Sequence, residues 1–133
     1  MVSIIKCDKY DFELIKKYIR DSFDNLGGIE KYINKGEKVL LKVNLVMKKP
    51  PESAATSDPI FTGAIASVLS EYGAKVIIGD SPGGPFSPML LKSIYSVCEM
   101  DKAAKLGNAE LNYNTEHTIC EFPDGKILKK ITV

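Results

Sequence analysis

The residues best suited to chemistry stand where two apolar runs of the chain end. Lys42 and Asn44 close the first run, and Asp80 follows the second. An Asp and an Asn at such ends supply oxygen ligands for a divalent cation, or acceptors for a substrate hydroxyl. The structural alternative is that both side chains only bond backbone in turns, and it is preferred for Asn44. Either the Lys42 ammonium reaches the crevice and contacts an anion, or its strand lies at a sheet edge and the ammonium reaches water, which is the commoner outcome. Lys42 is still the best candidate for a cationic contact near the loop.

A glycine-containing loop follows Asp80 and favours contact between its backbone and a ligand. It begins at Ser81, contains Gly83 and Gly84, and runs to Pro85. Glycines let backbone N–H groups approach an anion closely. The spacing fits neither the Walker A pattern nor G-x-G-x-x-G, so a plain structural turn stays open beside the anion-binding interpretation.

Two predicted helix starts flank this loop. Asp58-Pro59 and Ser87-Pro88 each combine an N-cap residue with a proline at the first helical position. Thr56 and Ser57 stand just ahead of the first start. Two helix N-termini facing one crevice favour a phosphate or carboxylate group. Together with Lys42, they predict a site for a small anionic ligand.

The elements that position these residues form a βαβ unit. Apolar runs predict strands over Lys38 to Asn44 and Lys75 to Ile78, both read as buried, with a helix from Asp58 to Gly73 between them. Two strands joined in this way lie parallel with a right-handed crossover. Their carboxyl ends share the sheet edge where ligands bind in such folds.

The rest of the chain adds helices around the unit and a hairpin after it. Asp11 predicts a helix start, Gly27-Gly28 its end, and a short helical piece spans Ile29 to Asn34. A helix after Ser87 is expected to bury Met89, Leu90, Ile94, Tyr95 and Cys98. A helix over Glu99 to Leu106, a strand over Ala109 to Tyr113, and a hairpin of Thr118 to Phe122 with Lys126 to Val133 follow. We expect a single α/β domain over residues 1–133, three-layered and Rossmann-like, with a mostly parallel sheet and a C-terminal β-hairpin.

The charge balance argues against nucleic acid and membrane partners. Among 133 residues, 18 basic and 17 acidic side chains leave a net charge of +1. The cluster of Lys126, Lys129 and Lys130 lacks interleaved aromatic platforms. Neither a secretory signal nor an apolar stretch of membrane-spanning length occurs.

The cysteines indicate a reducing compartment. Cys7, Cys98 and Cys120 are odd in number, far apart and without a C-x-x-C pair. We therefore expect buried thiols in a cytoplasmic protein, with no zinc or cluster motif among these residues. The one histidine, His117, lies in a polar loop and is expected to be solvated.

Three segments together resemble a known family. They are residues 38–46, residues 56–59 and residues 74–84, the last carrying A-K-V-I-I-G-D-S-P-G-G. Their order and spacing resemble the bacterial and archaeal domain of unknown function 362 (DUF362), over roughly residues 36 to 133. The resemblance implies an α/β fold and a site near Lys42, Asn44, Asp80 and Ser81. It implies no established reaction.

The chain departs from the family pattern in two ways. Val43 replaces a proline found in many members, which leaves the strand intact. The family domain also continues further, and many members carry a ferredoxin-type iron–sulfur segment. We therefore expect an N-terminal portion of the family domain, with any iron–sulfur cluster confined to a missing segment.

Three functions follow as hypotheses. The leading one is a small-molecule or metal-dependent enzyme domain that binds an anionic ligand at the strand ends, with Asp80 and Asn44 as ligands for a divalent cation. The alternatives are a redox accessory module of an iron–sulfur protein and a non-enzymatic binding or scaffold domain. The sequence indicates neither the substrate nor the oligomeric state.

Overall fold

The structure, a computed structural model, describes residues 1–84 and 87–132. Its helices are α1 (Phe12–Asn25), α2 (Pro59–Tyr72), α3 (Pro88–Val97) and α4 (Met100–Gly107). Its strands are β1 (Lys38–Lys42), β2 (Lys75–Gly79), β3 (Glu110–Leu111), β4 (Ile119–Glu121) and β5 (Lys130–Thr132). Short 3₁₀ turns span Ile29–Lys31 and Pro51–Ser53. Within the described ranges, no helix combines the length and apolar character needed to cross a membrane.

The strands form one parallel sheet and one hairpin, so the chain has a mixed α/β fold. The parallel sheet has the order β1-β2-β3, with β2 in the centre. Its register pairs Lys38 with Lys75 and Lys42 with Gly79. The helix α2 connects β1 to β2 along the chain. β4 and β5 pair antiparallel, which confirms the predicted C-terminal hairpin.

Side-chain caps begin the helices where the sequence predicts. Asp11 accepts a hydrogen bond from the backbone N–H of Leu14 at 2.9 Å and starts α1. Asp58 starts α2, and Ser87 starts α3. Gly73 ends α2 with a φ of 113°, a left-handed conformation that glycine adopts without steric cost. These boundaries are confirmed because each depends on a local bond or backbone angle.

Except for β2, which extends one residue further to Gly79, the strands and the first 3₁₀ turn are shorter than predicted. β1 ends at Lys42 rather than Asn44, since the backbone of Asn44 turns away to bond Ser57. The helical piece predicted to Asn34 is a turn over Ile29–Lys31. β3 and β5 cover only the residues that pair with a neighbouring strand. Val133, placed in the last predicted strand, lies outside the described residues.

Burial of the sheet is one-sided. Val76 and Ile78 of β2 are buried in the main core with residues of α2, α3 and α4. On the other face, Leu40 of the edge strand β1 is 60% exposed. The prediction of a buried first strand is therefore wrong, because among the described residues the core forms on one face of the sheet. Met89, expected in the core, is also exposed.

The three thiols are free and differ in environment. Cys98 is buried, as predicted. Cys7 is exposed and Cys120 is intermediate, so the expectation of buried thiols is wrong for Cys7. His117 is exposed, as predicted.

Close contact between α2 and α4 depends on residues without large side chains. A Cβ atom placed on Gly107 would lie 2.2 Å from the Cβ of Ala66 and 2.9 Å from the carbonyl oxygen of Gly63. At Gly63, a Cβ would lie 3.0 Å from the Cβ of Leu106. The two helix backbones therefore leave no room for an added methyl group.

Charged side chains join α1 to α2. The Nζ of Lys16, a residue 8% exposed, lies 2.6 Å from Oε1 of Glu71, and Arg20 bonds the other oxygen of this carboxylate. Hydrogen bonding from Lys16 lowers the pKa of Glu71 from 4.5 to about 2, against the opposing effect of burial and with help from Ser67 and Arg20. Glu71 therefore stays ionised in the folded protein down to acidic pH.

The substitution Gly107→Ala tests the helix contact. Because the new methyl group overlaps Ala66, we expect it to lower the free energy of unfolding by about 1–3 kcal/mol. Gly83→Ala is the matched control, since a Cβ on Gly83 meets nothing within 4 Å. Urea denaturation measures both, and equal stability of the two variants would contradict the packing described here.

The substitution Glu71→Gln tests the bond between α1 and α2. The pKa of Glu71 is lower in the folded state, so its contribution is complete above pH 4.5 and is lost as the pH falls towards 2. Because the side chain is 47% exposed, solvent screening limits the loss at neutral pH to about 1 kcal/mol. Urea denaturation across this range should show that the difference in free energy of unfolding between Glu71→Gln and wild type becomes smaller as the pH falls. Glu13→Gln, at an exposed partner of Lys16, is the control, and a difference independent of pH would refute the assignment.

Candidate functional site

The carboxylate of Asp80 joins the ends of β1 and β2. Its Oδ1 lies 2.9 Å from the Nζ of Lys42, and its Oδ2 accepts a hydrogen bond from the backbone N–H of Leu45 at 2.8 Å. The side chain of Asp80 is 6% exposed, whereas that of Lys42 is 71% exposed. The carboxylate of the pair is therefore buried, and its ammonium reaches the surface. Because β1 is an edge strand, the structure confirms the alternative in which Lys42 reaches water.

Hydrogen bonds keep the buried carboxylate charged. Burial alone raises the pKa of Asp80, but bonds from Lys42 and from the backbone N–H groups of Leu45 and Ser81 outweigh it and lower the pKa below its ordinary value. A carboxylate that accepts several donors is stabilised in its ionised form. Asp80 is therefore an anion at neutral pH.

Ser57 holds the backbone of Asn44 in place. The N–H of Asn44 donates to Oγ of Ser57 at 2.9 Å, and the N–H of Ser57 donates to the carbonyl of Asn44 at 3.1 Å. These reciprocal bonds close the base of the loop over residues 45–57 and leave Asn44 exposed. Beside them, Oγ1 of Thr56 is buried and has no hydrogen-bond partner within the described part of the chain.

The loop after Asp80 lies open to solvent. Ser81, Gly83 and Gly84 are exposed, while Pro82 is buried and holds the loop to the domain. Gly84 has a φ of 107°, a conformation that favours glycine. Pro85, the last residue of the predicted loop, lies outside the described residues.

The predicted helix N-termini are already occupied in part by their own caps. Oδ1 of Asp58 accepts the N–H groups of Ile60 and Phe61 at 2.8 and 3.1 Å. Oγ of Ser87 accepts the N–H of Leu90 at 3.3 Å. The amides left for a ligand are therefore chiefly those of the loop itself.

The predicted site residues come together in part. Lys42, Asp80 and Ser81 are joined by direct bonds, and Asn44 and Ser57 form a second bonded pair. Asp80 bonds the backbone of Leu45 rather than the side chain of Asn44. Residues 1–84 and 87–132 contain no group of three or more His, Cys, Asp or Glu residues that could hold a metal ion.

Tyr95 of α3 belongs to the surroundings of the site, although its sequence position indicates only a core residue. Its hydroxyl donates to the carbonyl of Asn112 at 2.8 Å, and its ring packs edge-on against Tyr113. Burial raises the pKa of the Tyr95 phenol, more than the neighbouring backbone of Asp80 lowers it. The sequence does offer one indication of this bond, because a tyrosine expected in the core needs a hydrogen-bond partner for its hydroxyl.

Two further lysines lie on the long loop after β1, which has no periodic pattern in the sequence. Lys48 and Lys49 are exposed on the loop over residues 45–57. The buried thiol of Cys98 donates to the carbonyl of Lys49 at 3.2 Å and fixes this part of the loop against α3. With Glu52 on the same loop, the net charge of the loop is +1, and its backbone is anchored.

The comparisons with known proteins agree with the resemblance of the three motifs. The family "Domain of unknown function (DUF362)" matches residues 39–133. The "Thylakoid-associated protein sll1697" of Synechocystis sp. (strain ATCC 27184 / PCC 6803 / Kazusa) is 31% identical over 81 residues. That match covers 61% of this chain but 25% of the relative, so the aligned part spans a quarter of that protein's length. No solved structure matches the chain. Because the family match covers most of the chain, including Lys42, Asp80 and the loop after it, the chain belongs to the DUF362 family.

Proposed function

We propose that the sheet edge formed by β1, β2 and the loop over residues 81–84 binds a small anionic ligand as part of an enzyme domain. The observation that carries the proposal is the exposed ammonium of Lys42, held 2.9 Å from the buried carboxylate of Asp80. An ammonium carries three N–H donors, so this contact leaves donors for a ligand. Asp80 thereby positions the Lys42 ammonium and leaves some of its N–H donors free for a ligand.

The loop supplies the second set of donors. Ser81 and the backbones of Gly83 and Gly84 are exposed beside the Lys42–Asp80 pair. A Cβ on Gly83 would meet nothing within 4 Å, so the loop has free space around it for a ligand atom. A phosphate or carboxylate group can accept bonds from such amides and from a hydroxyl.

The charge of the surrounding loop supports an anion over a cation. Lys48, Lys49 and Glu52 give the loop over residues 45–57 a net charge of +1, and the negative charge of Asp80 is balanced by Lys42. A metal ion bound by Asp80 and Asn44 would share the carboxylate oxygens with Lys42 and Leu45, and the Lys42 ammonium would repel it. We therefore propose the anion as the ligand and treat a divalent cation as an outcome of the test.

A binding or scaffold domain without catalysis is the second candidate. It is favoured by the caps, because Asp58 and Ser87 already accept N–H groups at the two helix starts.

The redox accessory role remains a proposal tied to a segment outside this chain. We also propose a right-handed, Rossmann-like crossover with a third layer over the Leu40 face, and a cytoplasmic location.

Replacing Lys42 tests the anion site. We expect inorganic phosphate to bind the wild-type chain at low ionic strength, and Lys42→Met to weaken binding roughly tenfold because a charge-assisted contact is lost. Lys38→Met is the control, since Lys38 lies at the other end of the same strand and is also exposed. Isothermal titration calorimetry with phosphate, and separately with magnesium chloride, measures the effect. Binding of magnesium alone, or equal phosphate binding by both variants, would overturn the proposal.

Asp80→Asn tests how the site is held together. We expect the free energy of unfolding at neutral pH to fall by about 1–3 kcal/mol, since Lys42 loses its charged partner and a buried bond is weakened. The pKa of Asp80 is lowered on folding, so its contribution is present above its ordinary value of 3.8 and is lost as the pH falls through the folded value. Denaturation with urea at neutral and acidic pH measures this. The exposed turn substitution Asp124→Asn is the control, and a loss equal to that control would contradict the role of Asp80.

A further inference from the structure

A cavity of about 740 Å³ lies away from the sheet edge, between the N-terminal segment, α1 and the first half of α2. Its volume is within the range of roughly 300–1,000 Å³ that is typical of small-molecule sites. Aliphatic side chains dominate its wall. They are Ile4, Ile5, Ile15, Ile19, Leu26 and Ile65.

The polar groups of this cavity carry little net charge. Tyr10, Tyr18 and Ser22, whose side chains carry hydroxyl groups, are among the lining residues. The charged residues beside them, Asp8 and Lys9, lie near opposite charges: Asp8 is 3.3 Å from Lys6, and Lys9 is 3.9 Å from Asp11. The cavity therefore offers hydrogen bonds to a head group but no unbalanced charge to attract an ionised one.

One wall of the cavity exposes apolar surface to water. Ile4 on the N-terminal segment is 90% exposed, and Phe61 of α2 is 45% exposed. Ser3, beside Ile4, accepts a hydrogen bond from Asn25 at 3.2 Å, which ties the segment to the end of α1. A molecule lying between this segment and the helices would remove apolar surface from water on both sides.

We infer that this cavity binds a single-chain aliphatic molecule with an uncharged hydroxyl head, of the class of a long-chain alcohol. The chain lies against the isoleucine wall, and the head bonds the tyrosine and serine hydroxyls. This site is separate from the anion site and does not depend on the proposed function. Within the described part of the chain, its wall contains none of Lys42, Asp80 or residues 81–84.

Titration of the full chain with 1-decanol tests the inference. We expect saturable binding of one molecule, detected by calorimetry and by amide chemical shifts in α1, and weaker binding of decanoate at neutral pH. Ser22→Trp fills the cavity and should weaken decanol binding at least about tenfold. Ser96→Trp is the matched control, since it places the same side chain at an exposed position of α3 outside this cavity.

A second pair of variants keeps the test valid if Ser22→Trp fails to fold. Ile4→Asp places a charge on the exposed wall of the cavity and should also weaken decanol binding, whereas Ile127→Asp, at a position 93% exposed on the hairpin, should not. Non-saturable uptake of decanol, or equal affinity in Ile4→Asp and Ile127→Asp, would overturn the site. Equal affinity for decanoate would overturn the uncharged head.

Discussion

The bonds of the Asp80 carboxylate organise the edge of the sheet where ligands are expected. A buried carboxylate is costly unless donors surround it, and here Lys42, Leu45 and Ser81 supply them. Lys42 and Leu45 lie at the end of β1 and the start of the long loop, whereas Ser81 directly follows Asp80. The charge that must be compensated therefore fixes the end of β2 against the end of β1 and the start of the long loop.

Strand pairing and helix packing in the rest of the structure hold that sheet edge in position. Parallel pairing of β1 with β2 brings their carboxyl ends together, and the register sets Lys42 opposite Gly79, directly before Asp80. The close approach of α2 to α4 at Gly63 and Gly107 keeps the helices against the buried face of the sheet. Cys98 and Ser57 then anchor the long loop at two points. The donors around Asp80 are thus held by packing as well as by bonds.

The sequence predicts the parts of this arrangement that depend on local chemistry. Asp58-Pro59, Ser87-Pro88 and Gly73 fix helix ends through bonds within a few residues, and the structure confirms them. The position of Asp80 at a strand end was predicted from the apolar run before it. The hydrogen bond that Asp80 accepts from Leu45, 35 residues away, was not predicted. A backbone N–H can donate whatever the side chain is, so the residue type gives no indication of such a bond. The exposure of Leu40 was missed for a related reason, since an apolar strand does not reveal how many of its faces are covered.

In the proposed site, Asp80 and Lys42 prepare the loop over residues 81–84 to receive an anion. Amide chemical shifts recorded during a phosphate titration test it most directly, because they report which N–H groups meet the ligand. We expect saturable shifts at Gly83 and Gly84 that disappear in Lys42→Met. Shifts that leave these amides unchanged, or that persist in Lys42→Met, would contradict it.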